Sequence, residues 1–323
     1  MTQGSAVASG DATAEAPALF AYLDGRVVPL AEAQVSIATH ALQYGTGVFE
    51  GVRAYWSDAA SELYVVEPMA HFRRLLQSAR LMRLDVALTA EALLAATLEV
   101  LRRSGLRQDT YIRPFAFKRD PVIKVKLCGI ATSLGIYAVP MGDYVATDGL
   151  SVHVSSWRRL SDNAIPARAK ITGSYVNAAL AVDDALESGF DEAILLNEDG
   201  HVAEASSANL FMVRSGELVT PPVTDGILEG ITRRLVMTLA RERGHAVVER
   251  SIDRTELYSA DEIFLCGTGA QIAPVVAVDH RAVGAGVVGP VTSEVQAAYM
   301  RVCRGQDAAH AAWITPVYAG AAT

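Results

Sequence analysis

Ala169-Lys170-Ile171-Thr172-Gly173-Ser174-Tyr175 runs straight into Val176-Asn177-Ala178-Ala179-Leu180. A lysine thus stands among small residues at the head of an apolar, Ala-rich helical pattern. Lysine is scarce in this chain: Lys118, Lys124, Lys126 and Lys170 are the only 4 among 323 residues. The first three share one charged block, Lys118-Arg119-Asp120-Pro121-Val122-Ile123-Lys124-Val125-Lys126, which reads as a solvated loop or hairpin. Lys170 stands apart. Its surroundings allow partial desolvation, which lowers the pKa of an ammonium and makes the amine a nucleophile. The natural task for such an amine is a Schiff base. The competing reading is a surface lysine snorkelling at a helix start.

The rest of the composition narrows the classes. A hydrophobic fraction of 51% with 20% charged residues supports a large core, in two domains or one large one. The formal net charge of −8 disfavours nucleic acid and anionic membrane surfaces as partners. Cys128, Cys266 and Cys303 are too scattered for a disulfide framework or a metal cluster, and the 7 histidines show no ligand spacing. No apolar run has the length of a membrane span, and the N-terminus lacks a basic-then-apolar signal pattern. These features lead us to expect a cytoplasmic protein without metal.

Residues 1–17, rich in Ala, Gly, Ser and Thr, read as a disordered tail. Asp24-Gly25 predicts a hairpin between 18–23 and 27–30. The run Tyr44-Gly45-Thr46-Gly47-Val48-Phe49-Glu50-Gly51-Val52-Arg53 mixes glycines with aromatics, which suggests backbone passing close to something bound. Amphipathic helices are expected at 68–83 and 89–105, and strands at 63–66, 111–117 and 134–139. A small α+β unit therefore spans 18–140, followed by a linker at 141–150. The second unit, 151–323, carries Lys170, a helix at 174–188, strands at 192–196, 209–213 and 262–266, and helices ending near 243 and 303.

Two turns suit an anion. Glu229-Gly230-Ile231-Thr232 precedes a helix whose free N–H groups and dipole favour negative charge. Gly267-Thr268-Gly269-Ala270 exposes backbone amides. Arg74 completes a phosphate cup if it is not simply a helix-surface charge. Glu204, among small residues, is either a solvated turn glutamate or the partner of a protonated ring nitrogen. A lysine, a carboxylate and a phosphate cup are together the parts that pyridoxal phosphate needs.

In that order and spacing, the chain from about 18 to 315 resembles the fold-type IV pyridoxal-phosphate enzymes, and most closely the branched-chain amino acid aminotransferases. The resemblance is carried by residues 44–53, Tyr111-Ile112-Arg113-Pro114, Ser155-Ser156-Trp157, Ala169-Lys170, Glu204 with Asn209-Leu210-Phe211, Gly230-Ile231-Thr232-Arg233, and Gly267-Thr268-Gly269-Ala270. It implies an α/β fold of the α+β type in two domains, the D-amino acid aminotransferase-like fold, and a homodimer or larger oligomer. It implies that Lys170 forms the Schiff base and shuttles a proton, and that Glu204 faces the pyridinium nitrogen. Arg74, Ile231, Thr232 and Thr268 match the phosphate cup, and Tyr175 matches the tyrosine at the cofactor's ring oxygen. Tyr111, Gly269 and Ala270 are similar to the α-carboxylate site, and Arg113 to the arginine that holds the side-chain carboxylate of glutamate. Phe49, Tyr44 and Tyr144 would line the side-chain pocket, with Tyr44 and the loop around Val125 reaching in from a second subunit. The implied reaction moves the amino group of leucine, isoleucine or valine to 2-oxoglutarate.

Three departures touch substrate range rather than cofactor. The loop Pro121–Leu127 replaces a Gly-rich one and carries Lys124 and Lys126, which either admit a larger or more acidic substrate or face solvent. Met141 stands where some relatives carry an aromatic, and Ala205-Ser206-Ser207-Ala208 follows Glu204. Same-scaffold alternatives are a D-amino acid transaminase, an (R)-amine transaminase, an aminodeoxychorismate lyase or an aminotransferase of a specialised pathway. A catalytically silent cofactor-binding protein is a rival of another class. A nucleotide-binding module is weaker, for want of a phosphate-loop lysine.

Overall fold

The computed structural model describes residues 18–142 and 148–319, so the 1–17 tail and Tyr144 lie outside the described residues. The first sheet starts with the expected hairpin, β1 (Phe20–Leu23) and β2 (Arg26–Pro29), turning on Asp24 and Gly25 at φ 46° and 91°. After α1 (His40–Tyr44) come β3 (Gly47–Phe49), β4 (Val52–Ser57) and β5 (Glu62–Val66). Helices α2 (Pro68–Leu81) and α3 (Ala90–Ser104) lead to the long strands β6 (Thr110–Lys118) and β7 (Thr132–Pro140). Pro68 opens α2, where its missing N–H costs nothing, and the Thr89 hydroxyl caps α3 by accepting from Ala92 N at 3.2 Å.

The second sheet uses β8 (Leu150–Arg158), β9 (Glu192–Leu196), β10 (Val202–Ala205), β11 (Asn209–Arg214), β12 (Glu217–Thr220), β13 (Ala246–Glu249), β14 (Glu262–Gly267), β15 (Gln271–Val278) and β16 (Arg281–Ala282). Around it pack α4 (Tyr175–Glu187), α5 (Ile231–Glu242) and α6 (Pro290–Cys303). The last strand, β17 (Ile314–Pro316), returns to the first sheet and pairs with β5. The first sheet runs β17-β5-β4-β6-β7-β1-β2 with β3 on β6, all antiparallel. The second runs β10-β9-β8-β15-β14-β11-β12-β13 with β16 on β15. It is mixed: β8 lies parallel to β9 and β15, as the crossover through α4 requires for β9.

Strand periodicity explains what each face does. Along β6, Ile112 and Ala116 enter the core with Phe72, Leu75, Leu93 and Val100 of α2 and α3. Tyr111, Arg113 and Phe115 alternate onto the opposite face and line the cleft. In the second sheet both faces are covered. Leu210 and Met212 join one apolar cluster with Ile263 and Leu265. Phe211 and Val213 join another with Phe264, Leu235 and Tyr299, against α5 and α6. Strands buried on both sides read as continuous apolar runs, which is why 192–196, 209–213 and 262–266 are visible in the sequence.

Residues 44–53 approach the cleft and pack tightly on the chain around it. This stretch forms the end of α1, β3 and the start of β4; Phe49 and Gly51 line the cavity, and its glycines also answer to close approaches within the protein. Gly45 has φ 65°, and a Cβ on it would stand 2.7 Å from Gly173 Cα. A Cβ on Gly51 would meet the Tyr111 hydroxyl at 2.4 Å. The Lys118 reading changes. Its side chain is buried, with Nζ donating to Ile130 O at 2.9 Å, and burial pushes its pKa down. Lys124 and Lys126 are exposed.

The Gly45–Gly173 contact brings β3 against the Lys170 segment, so it can be tested directly. Gly45→Ala combines left-handed strain with a backbone clash and should cost about 1–3 kcal/mol in a thermal or urea melt. Gly142→Ala, with nothing within 4 Å of its added Cβ among the described residues, should leave the melt unchanged.

Candidate active site

Between the two sheets lies a cavity of about 640 Å³. Lys170 enters it from a backbone pinned on both sides. Its N–H donates to Ser78 Oγ of α2 at 3.1 Å, and its carbonyl accepts from Phe49 N at 3.0 Å. Val48 and Ile171 form an adjoining antiparallel bridge. The half-buried side chain places Nζ 2.5 Å from Tyr175 Oη, to which it donates, and about equally near the rings of Phe49 and Tyr175. The snorkelling alternative does not hold, because the amine points into the cleft.

Glu204 is buried on β10 rather than solvated. Its Oε1 pairs with Arg159 Nη2 at 2.9 Å, and its Oε2 accepts from Asn209 Nδ2 at 2.9 Å and Leu228 N at 3.0 Å. Arg159 is fixed in turn by donating Nε to Gly226 O at 3.1 Å. Gly230 makes room for this cradle, since a Cβ there would collide with Asn209 Oδ1 at 1.9 Å.

Arg74 is not a surface charge. Its guanidinium lines the cavity, donates through Nε and Nη2 to Glu50 at 2.7 and 2.8 Å, and donates through Nη1 to Glu229 O at 2.7 Å. Beside it starts α5, whose N-cap is Gly230 and carries no side-chain cap. The Ile231 and Thr232 end of that helix therefore presents backbone N–H groups to the cleft. Thr268, Gly269 and Ala270 approach from the β14–β15 turn.

Opposite, Arg113 donates through Nη2 and Nε to Tyr111 Oη at 2.8 and 3.2 Å and lies 4.4 Å over the Phe49 ring. Burial raises the Tyr111 phenol's pKa against the lowering pull of Arg113, so the phenol keeps its proton for donation. Among the charged groups of the wall, Arg74, Arg113, Arg159 and Lys170 face the single carboxylate of Glu204. Such a cavity suits a multiply anionic ligand.

Twelve of the fourteen candidate cofactor- and substrate-binding residues line this one cavity: Phe49, Arg74, Tyr111, Arg113, Lys170, Tyr175, Glu204, Ile231, Thr232, Thr268, Gly269 and Ala270. Tyr44 does not. It is exposed on α1 and packs against His40 at 4.6 Å between ring centroids. Tyr144 lies outside the described residues. Arg159, Glu50 and His71 are not singled out by the sequence. Each acts through a partner distant in the chain, and only Glu50 stands inside a quoted motif.

With this geometry the comparisons with known proteins agree. The chain belongs to the family described as amino-transferase class IV, whose pattern matches residues 47–278. Within that class its relatives are the branched-chain-amino-acid aminotransferases. It is 46% identical to the probable branched-chain-amino-acid aminotransferase of Aquifex aeolicus (strain VF5), over 93% of this chain and 97% of that one. The crystal structure of the branched-chain aminotransferase of Thermoproteus uzoniensis with norvaline superposes with a TM-score of 0.90 at 44% identity, over 93% of this chain and 100% of that one. The branched-chain amino acid aminotransferase of Thermobaculum terrenum in its PLP-form gives a TM-score of 0.89 at 37% identity, over 94% of this chain and 99% of that one. The fold is accordingly that of the fold-type IV enzymes, as the resemblance implied.

The Glu204 cradle generates its own test. Arg159→Met leaves a buried carboxylate without its cation and should lower stability by about 3–5 kcal/mol in a thermal melt. Adding Glu204→Gln should recover most of that loss. A melt unchanged by Arg159→Met would show that the pair does not carry the cradle.

Proposed function

We propose that this chain transfers the amino group of leucine, isoleucine or valine, as the L-amino acid, to 2-oxoglutarate, giving a branched 2-oxo acid and L-glutamate with pyridoxal 5'-phosphate as cofactor. The carrying observation is the convergence of Lys170, Glu204 and Arg74 on one cleft, in a chain whose relatives are branched-chain aminotransferases. The three groups fit the cofactor: an amine for its aldehyde carbon, a carboxylate for its ring nitrogen, and an arginine beside an uncapped helix N-terminus for its phosphate. When bound, the cofactor supplies an electron-withdrawing ring that stabilises the charge left on the substrate's Cα.

Each residue then has a distinct task. Lys170 Nζ would hold the cofactor through its aldehyde carbon, and as a free amine it would take the substrate's Cα proton and carry it as the general base and acid of the transfer. Tyr175 Oη, at 2.5 Å, orients that amine. Glu204, braced by Arg159, Asn209 and the Leu228 N–H, would present its carboxylate to the cofactor's ring nitrogen. Arg74, the Ile231 and Thr232 amides and the Thr232 and Thr268 hydroxyls hold the phosphate. Tyr111 with the Gly269 and Ala270 amides holds the substrate's α-carboxylate. One pocket must accept both an apolar chain and the side-chain carboxylate of glutamate. Phe49 offers the apolar wall, and Arg113, stacked on it, offers the cation. A carboxylate buried there without a cation would be strongly disfavoured.

The same reading makes residues 18–140 a small domain, 141–150 a linker and 151–323 the cofactor-binding domain, with β17 crossing back to the first sheet. It also makes the protein a homodimer. Support comes from exposed apolar side chains: Ile37 is 84% exposed, Leu42 65%, Ile123 94% and Val125 84%. His40 ties two of these segments together, since its ring bonds Thr46 Oγ1 at 2.7 Å and Lys124 O at 3.0 Å. A second subunit covering this face would receive Tyr44 and the Val125 loop at its own cleft. The three cysteines are unpaired, which supports a cytoplasmic setting. Among the described residues no helix is long and apolar enough to cross a membrane.

Incubating the protein with 2-oxoglutarate and each of L-leucine, L-isoleucine, L-valine and D-leucine, and measuring L-glutamate, tests the reading. Glutamate should form with the three L-amino acids only. Glutamate from D-leucine or an (R)-amine, or pyruvate released from aminodeoxychorismate, would assign the scaffold to a different reaction.

A further inference from the structure

Glu50 has no access to solvent, and its side chain is not part of the cavity wall, yet its carboxylate is paired with Arg74, which is. It sits between Phe49 and Gly51, both of which line the cavity, while its own side chain turns away toward α2, as alternation along extended backbone dictates. There Oε1 accepts from Arg74 Nε at 2.7 Å, and Oε2 accepts from Arg74 Nη2 at 2.8 Å and His71 Nδ1 at 2.8 Å. The Glu50 N–H is also held, by Pro114 O at 2.8 Å. A two-pronged pair of this kind fixes the plane of a guanidinium as well as its distance.

A guanidinium has five N–H groups. Glu50 takes one from Nε and one from Nη2, and Glu229 O takes one from Nη1. One N–H on each terminal nitrogen is left for a ligand, on a side chain that lines the cleft beside the start of α5. The charges point the same way. Burial alone would raise the Glu50 carboxyl, but the Arg74 charge and the hydrogen bonds from Arg74 and His71 outweigh it and bring the pKa down to about 2. An ionised carboxylate only accepts, so His71 must carry its proton on Nδ1. Burial lowers the pKa of His71, which therefore stays neutral at neutral pH. Glu50, Arg74 and His71 together carry no net charge.

We infer that Glu50 is the positioning residue of the phosphate-binding arginine. It locks Arg74 in one plane and cancels its charge, so the cup selects its anion by aimed N–H donors and the α5 N-terminus rather than by excess positive charge. The inference rests on the cofactor reading above. A purely structural Glu50 would tie α2 to the β3–β4 segment and affect every ligand of the cleft alike.

The test compares two aldehydes that differ only in the phosphate. Pyridoxal 5'-phosphate and pyridoxal are titrated by absorbance into cofactor-free wild type and into Glu50→Gln, with the ³¹P resonance of the bound phosphate as a second readout. In Glu50→Gln the Kd for pyridoxal phosphate should rise at least ~10-fold, with a shifted ³¹P resonance, as expected for loss of a charge-assisted pair. The Kd for pyridoxal should stay within about twofold, since no phosphate contact is involved. Glu50→Asp keeps the charge if the neutral variant does not fold. Its shorter arm cannot hold both nitrogens, so the same selective loss is expected. Equal weakening of both aldehydes, or no weakening of either, overturns the inference. If wild type binds the two aldehydes equally, the phosphate reading of Arg74 fails first, and the inference with it.

Discussion

The structure depends on how the main chain of Lys170 is held. Its N–H is bound from α2 and its carbonyl from β3, while the neighbouring Ile171 bridges Val48. A lysine has four rotatable side-chain bonds, and a nucleophile on a loose backbone would be spread over many positions. Here both peptide groups are used up by the first sheet and its helix, so the flexibility is confined to the side chain, and Tyr175 limits that. The cost falls on Gly45, where a close approach to Gly173 permits no Cβ. The hydrogen bonds that fix the Lys170 main chain thus also tie its segment to the first sheet and α2 beside the cleft.

Around this centre the charged groups come in braced pairs. Arg74 leans on Glu50, and Arg159 leans on Glu204. Among partly buried side chains, an unpaired charge is costly, and a paired one keeps its direction. Once these pairs are set aside, Lys170 and Arg113 are the cations of the wall without a carboxylate partner among the described residues. Under the proposed function, Lys170 would serve the reacting centre and Arg113 the far end of a substrate, the division of labour that two alternating substrates require. Arg113 is held by Tyr111 and the face of Phe49 instead of by an acid, so a carboxylate can replace solvent on it without displacing a competitor.

Much of this is legible in the sequence, for physical reasons that vary by element. Strands 192–196, 209–213 and 262–266 are apolar on both faces and announce themselves. Strands 217–220 and 246–249 are short and leave little pattern to read. Lys170 and Glu204 are visible because unusual residues sit among small ones. Arg74 cannot be told from a surface arginine until α2 is packed against Glu50, twenty-four positions earlier in the chain. Lys118 reads as solvated because two exposed lysines follow it, although strand alternation buries it beside Ile130. Pairings such as Arg159 with Glu204 join residues far apart in the sequence, and no local pattern encodes them.

The central claim is that one lysine of four does the chemistry. Reducing the cofactor-loaded protein with borohydride, digesting it and locating the phosphopyridoxyl mass by tandem mass spectrometry tests this directly. The account predicts the adduct on the peptide that contains Lys170. An adduct on Lys118, Lys124 or Lys126, or none at all, would contradict it.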